Sequence, residues 1–168
     1  GQALARMAAD ESHRNFVGIE VHAPGVGRLL KSVDEQELTN VRVVMRDAVE
    51  VLEQQTVPES LDEVRIYFPD PWPKKRHHKR RLIQPPFLEL LASRMVAGGR
   101  LHLATDWADY AEWMVEALEQ VPGFRLEGNP YVERPAWRPQ THFERRGLKR
   151  GHEVFDIVCR LSARTASE

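Results

Sequence analysis

Residues 64–105, VRIYFPDPWPKKRHHKRRLIQPPFLELLASRMVAGGRLHLAT, carry two short apolar runs on either side of a segment with helical period. The runs are 64–68 (VRIYF) and 100–105 (RLHLAT); residues 86–96 between them place Phe87, Leu90, Leu91 and Met95 on one side. Strand, helix and strand in this order predict a parallel pair joined by a crossover. The pattern extends outward. Residues 16–21 (FVGIEV) and 41–46 (VRVVMR) read as earlier strands, and 124–127 (FRLE) and 154–161 (VFDIVCRL) as later ones. Residues 24–33 have helical period, and 106–121 more clearly so, with Trp107, Tyr110, Met114, Ala117, Leu118 and Val121 forming an apolar stripe. Gly98-Gly99 is expected to end one helix and Pro122-Gly123 the next. The fold class is therefore α/β: a mainly parallel sheet with helices on both faces and an antiparallel last strand at an edge. Residues 1–10 read as a helix already under way, and 129–153 form the longest irregular stretch, a length that usually signals function.

Composition narrows the class. A chain of 168 residues with 42% hydrophobic and 29% charged side chains suits one domain around one core. A single cysteine, Cys159, excludes an internal disulfide framework and a cysteine-based zinc site, and reads as a buried thiol in a cytoplasmic protein. No stretch approaches the ~18 apolar residues of a membrane span, and no signal peptide opens the chain. No His/Asp/Glu spacing resembles a metal site. The net charge of −1 hides an asymmetry, because residues 74–81 (KKRHHKRR) concentrate six cations on a chain that is otherwise net acidic. Such a patch predicts one docking site for phosphates.

In open α/β sheets ligands bind beyond the carboxyl ends of the strands. Glu20, Asp47, Asp70 and Asp106 each fall at or just after the end of a strand, so four strands are expected to bring four carboxylates to one rim. Glu20 suits ribose hydroxyls, and Asp47 suits an adenine amino group one strand further out. Each carboxylate alone also reads as a helix or turn cap. Asp70 stands apart because Pro69, Pro71 and Pro73 stiffen its loop and Trp72 offers a stacking ring. The cations at 74–81 follow at once, and beside a base-binding loop they read as a phosphate clamp.

Four strings now become specific: GIEVHAPGVG (18–27), RIYFPDPWPKKRHHKRRLIQ (65–84), HLATDW (102–107) and THFERRG (141–147). In order and spacing they resemble the bacterial tRNA (guanine-N(7)-)-methyltransferase family. The resemblance implies a Rossmann-like class I fold of seven strands using S-adenosylmethionine, and methylation of guanosine 46 in the tRNA variable loop. It implies Glu20 and Asp47 at the ribose and adenine ends of the cofactor, and Asp70 as the catalytic carboxylate between cofactor and base. Lys74, Asp106, Thr141, His142, Phe143 and Glu144 match substrate-binding positions. Arg76, His77, His78, Lys79, Arg80 and Arg81 match the tract that touches RNA. The family has a strand and a loop E-I-G-x-G-x-G before its first helix; Gly1 matches the last of those glycines and would touch the cofactor. Residues 1–168 are thus expected to be a single methyltransferase domain truncated at its amino end. The expected partner is tRNA, with no membrane and no obligatory protein partner, the chain acting as monomer or homodimer.

Guanine N7 has a lone pair and no proton, so its methylation needs orientation and charge stabilisation rather than a base. Two other readings stay open on the residues alone. One is a tRNA-binding module without turnover, and the other is methylation of a different nucleic-acid base.

Overall fold

A computed structural model of the chain describes residues 2–140, 144–145 and 153–163. These residues fall into two compact units, one drawn from 1–55 and 136–145, the other from 56–135 and 146–168.

In the first unit, helices α1 (Gln2–Asp10), α2 (Ala23–Glu35) and α3 (Ala48–Gln54) accompany strands β1 (Phe16–Ile19) and β2 (Val41–Val44). The strands pair in parallel, from Phe16 opposite Val41 to Ile19 opposite Val44. Gly18 lets α1 lie close over β1, since a Cβ there would collide with the Leu4 side chain. Ala5, Met7 and Ala8 of α1 are buried, as are Leu29, Val41, Val51 and Leu52. Asn40 fixes the entry to β2 by donating to the Ala8 and Arg14 carbonyls at 3.0 and 2.9 Å. Helix α2 carries Pro24 in its first turn, where a missing N–H costs nothing.

The second unit holds β3 (Leu61–Tyr67), a 3-10 helix η1 (Lys75–Arg80), α4 (Pro85–Arg94), β4 (Met95–Thr105), α5 (Ala108–Glu119), β5 (Phe124–Leu126) and β6 (Phe155–Leu161). Its sheet runs β3-β4-β6-β5, with β3 parallel to β4 and β6 antiparallel to both its neighbours. Strand β4 is central, and residues 101–105 are all buried, as both faces of an inner strand must be. Leu101 and Leu103 share the core with Tyr110, Met114 and Leu118 of α5, Leu88 and Leu91 of α4, and Ile157 of β6. Across the same strands a polar chain is closed inside the unit. Tyr67 Oη lies 2.8 Å from His102 Nδ1, and His102 Nε2 lies 2.7 Å from Asp156 Oδ1. Among the described residues no helix is long and apolar enough to cross a membrane.

The α/β class and the antiparallel direction of the last strand are as the sequence predicts, but β6 lies inside its sheet between β4 and β5, not at an edge, because the short β5 pairs on its outer side. Four further departures stand out. The described strands number six, in a sheet of two and a sheet of four, not seven in one. Helix α3 is new: at seven residues it is too short for a periodic signal, and Asp47 starts it. Gly98-Gly99 does not end a helix. Helix α4 stops at Arg94, and the glycines lie in β4 where the register jumps from Leu61–Met95 to Glu63–Arg100. Gly98 takes φ +79°, and a Cβ on Gly99 would fall 2.9 Å from the Val96 carbonyl oxygen. Trp107 leaves the apolar stripe: it stands at the N-cap of α5, 44% exposed, while Tyr110, Met114, Ala117, Leu118 and Val121 are buried.

Cys159 is buried in β6, with its thiol 3.7 Å from the Leu101 carbonyl oxygen. Burial pushes this thiol up to about 12. A thiol reagent at about pH 8 should therefore leave the native protein unlabelled while labelling it fully in denaturant, because only the thiolate reacts. Rapid labelling of the native protein would contradict this placement.

Candidate functional site

Parallel strands in register deliver their carboxyl ends together. In the first unit Glu20 follows β1 directly, and its N–H extends the ladder to the Val44 carbonyl at 3.1 Å. Its Oε1 accepts the His22 N–H at 2.9 Å. Asp47 leaves the same edge after β2 and caps α3, with Oδ1 accepting the N–H groups of Val49 and Glu50 at 3.0 and 3.3 Å. Both side chains are exposed. Capping and ligand binding are thus compatible in Asp47, because its described bonds all fall on one oxygen.

In the second unit Asp70 and Asp106 leave the same edge of the sheet, after β3 and β4. Tyr67 pairs with Ala104, and the Phe68 N–H continues to the Ala104 carbonyl at 2.8 Å. Asp70 is exposed, and its Oδ1 accepts the Trp72 N–H at 3.1 Å. The residues that flank this turn are unusual: Phe68 has φ +52° and Trp72 φ +41°. Non-glycine residues held there cost about 1–3 kcal/mol each. Such strain persists only where the surroundings over-determine the loop, and it gathers at functional sites. Three prolines remove half of the loop's own backbone donors. Its carbonyls are therefore held from outside: Arg81 Nε donates to the Pro71 oxygen at 2.7 Å, and His78 Nε2 donates to the Pro73 oxygen at 3.3 Å. Asp106 is half-buried, beside the exposed Trp107.

The basic tract divides into three parts. Lys74, Lys75, Arg76, Lys79 and Arg80 are exposed around the 3-10 helix. His77 and His78 are half-buried, edge-on to Trp72 and Trp113 at 5.8 and 5.7 Å between centroids. The Arg80 guanidinium lies over the Trp72 ring at 5.2 Å. Arg81 corrects the expectation of an RNA contact: it is 1% exposed and turned inward. Its Nη2 donates to Asp109 Oδ2 at 2.6 Å, and its guanidinium lies 4.8 and 5.1 Å from the ring centroids of Tyr110 and Trp113.

Glu144 is also placed differently from a free substrate ligand. It is buried, and both its oxygens accept from Arg138, at 2.6 and 2.8 Å. Arg138 is itself 1% exposed. Nothing in the string AWRPQTHFE distinguished this arginine from an ordinary loop cation, since the pairing is a property of the fold and not of local composition. Gly1, Thr141, His142 and Phe143 lie outside the described residues.

A family model described as "Putative methyltransferase" matches residues 1–157. The tRNA (guanine-N(7)-)-methyltransferase of Xanthomonas euvesicatoria is 59% identical over 160 residues, covering 94% of this chain and 47% of that protein. The protein of that name from Halorhodospira halophila is 55% identical over 168 residues, covering 99% of this chain and 73% of its own length. The chain spans about half to two-thirds of the first curated relatives it matches. Among solved structures, an S-adenosylmethionine-dependent O-methyltransferase from Thermotoga maritima superposes with a TM-score of 0.56 at 12% identity, over 90% of this chain and 51% of that one. An rRNA methylase from Streptococcus thermophilus gives 0.55 at 10%, over 89% and 74%. At these identities the likeness shows the Rossmann-like methyltransferase fold.

The Asp47 cap can be separated from its charge. Asp47→Ala should lower stability by ~1 kcal/mol in a urea melt, whereas Asp47→Asn, which still offers a carbonyl oxygen, should stay close to the parent. Equal losses in the two variants would show that the cap is not what the side chain contributes.

Proposed function

This chain belongs to the tRNA (guanine-N(7)-)-methyltransferase family, and from that membership we propose that its parent protein methylates guanine N7 at position 46 of tRNA in the cytoplasm. Residues 1–168 are read as belonging to one methyltransferase domain. The observation that supports this best is the loop at 68–73. It holds one exposed carboxylate, Asp70, in a strained turn and runs directly into a 3-10 helix rimmed with exposed cations.

The acceptor sets the demands on the site. Guanine N7 offers a lone pair and carries no proton, so no side chain has to act as a base. S-adenosylmethionine, when bound, supplies a methyl group already activated on a sulfonium. Glu20 and Asp47 suit such a ligand chemically. Each is an exposed carboxylate with one oxygen engaged and the second unbonded among the described residues, ready to accept from ribose hydroxyls and the adenine amino group. Asp70 accepts the N1–H and N2–H of guanine, which orients the ring and favours the positive charge that methylation places on it. Asp106 and Lys74 complete the contacts to the nucleotide. Orientation of this kind is worth on the order of several kcal/mol. Thr141, His142 and Phe143 are taken as substrate contacts from the family resemblance, whereas Glu144 has both oxygens engaged by Arg138.

The exposed cations Arg76, Lys79 and Arg80, with Lys74 and the partly exposed His77 and His78, form the RNA-facing side of the tract. Phosphates neutralised there release counterions, so affinity should fall with salt.

Three measurements test the reading on the full-length protein. Asp70→Ala should abolish methyl incorporation into unmodified tRNA while most tRNA affinity remains. Activity that survives largely intact would remove Asp70 from the chemistry. Base analysis of the parent's product should find N7-methylguanine; a methylated exocyclic nitrogen, or binding without incorporation, would overturn the proposed reaction. Replacing Arg76, Lys79 and Arg80 by Gln should weaken tRNA binding and reduce the slope of log K against log salt, by about 0.9 per lost phosphate contact on duplex regions. An unchanged slope would show that the tract does not face RNA.

A further inference from the structure

Arg81 closes the cationic run, yet its side chain is fully withdrawn from solvent, so no phosphate can reach it. Its contacts join three elements of the second unit. Nε holds the carbonyl of Pro71, the residue immediately after Asp70. Nη2 holds Asp109 in the first turn of α5. The plane of the guanidinium packs against Tyr110 and Trp113, one turn apart on the same helix. Nη1 is buried with no hydrogen-bond partner among the described residues, which leaves the two rings as its compensation. The rings are themselves fixed to the chain just past Arg81. The Ile83 N–H donates to Tyr110 Oη at 3.2 Å, and Trp113 Nε1 donates to the Ile83 carbonyl at 2.6 Å. Gln84 closes the circuit by donating to the Arg81 carbonyl at 2.6 Å.

The loop that carries Asp70 has few internal ties. Phe68 and Trp72 sit at positive φ, and the prolines between them offer no N–H. A tie on the Pro71 carbonyl from below therefore sets where the preceding residue points. Lysine cannot reproduce this tie, because it has no Nε–H fork and no planar face.

We propose that Arg81 is a positioning residue for Asp70, acting through the Pro71 carbonyl from a cradle of Asp109, Tyr110 and Trp113, and that it is not a contact to RNA. The proposal rests on the role given above to Asp70, and its test carries a readout that does not depend on that role.

The variant is Arg81→Lys in the full-length protein, compared with Arg80→Lys and Arg80→Gln. In Arg81→Lys, kcat for methyl transfer should fall by about 10²-fold, the scale of a small misplacement of a reacting group. The KM for tRNA, the tRNA Kd and its salt slope should stay near those of the parent. The Trp72 amide, which is bonded to Asp70, should exchange its hydrogen at least tenfold faster, while the amides of β4 keep their protection. Arg80→Gln should do the reverse, lowering the salt slope and leaving Trp72 exchange alone; Arg80→Lys should preserve both. A purely structural role for Arg81 would lower Tm with kcat per folded molecule unchanged, and that result overturns the proposal, as does a salt slope lowered by Arg81→Lys. If Arg81→Lys fails to fold, Asp109→Asn loosens the same cradle from an exposed side chain, and unchanged Trp72 exchange there overturns it equally. If the parent protein itself transfers no methyl group, the proposed function falls, and Trp72 exchange still decides whether Arg81 holds the loop.

Discussion

A guanidinium removed from water must find its partners inside the protein, at a desolvation cost of several kcal/mol before compensation. Arg81 meets that demand with a carbonyl, a carboxylate and two aromatic rings. The carbonyl comes from the loop after β3 and the other three partners from α5, so satisfying one side chain brings the β3 loop, the end of the 3-10 helix and the start of α5 to fixed distances. The strained backbone at Phe68 and Trp72 is tolerable because of that anchoring. The exposed cations of the tract then project from a rigid base, and their charge needs no reorganisation to meet a polyanion.

Strand β4 provides the second requirement. It pairs with β3 on one side and β6 on the other, and its buried residues 101–105 tie the sheet to α4 and α5. Parallel pairing in register brings Asp70 and Asp106 to one edge, and the same geometry in the two-stranded sheet does so for Glu20 and Asp47. The Tyr67–His102–Asp156 chain, buried at His102 and Asp156, crosses β3, β4 and β6 just below that edge and replaces apolar contact with directed bonds, which fix register more sharply than packing alone. The acceptor atom proposed above, with a lone pair and no proton, would ask for this kind of scaffold. Placement and electrostatics suffice, and both are properties of rigid elements.

Much of this was legible in one dimension because it depends on local chemistry. Alternating strand and helix signals marked β1 to β6, α2, α4 and α5. Proline spacing marked the stiff loop, and the succession of an acidic turn and a basic run marked the site. Signals failed where the outcome depended on a distant partner. Gly98-Gly99 has the composition of a helix stop, but pairing with β3 carries β4 through it, and the register jumps there. Trp107 fits a helical stripe, but helix α5 begins one residue after it. Glu144 looked like a ligand until Arg138 took both its oxygens.

The amino-acid sequence by itself determined the α/β class, the four carboxylates that follow strands and the charge of the tract, since periodicity, proline geometry and net charge are properties of short segments. Only the tertiary structure decided which cations face water and which one is withdrawn beneath the loop. Six positive side chains in one short tract are equivalent until packing assigns each a dielectric environment. That assignment is made by Asp109, Tyr110 and Trp113, about thirty residues away in sequence and adjacent to Arg81 only in the folded chain.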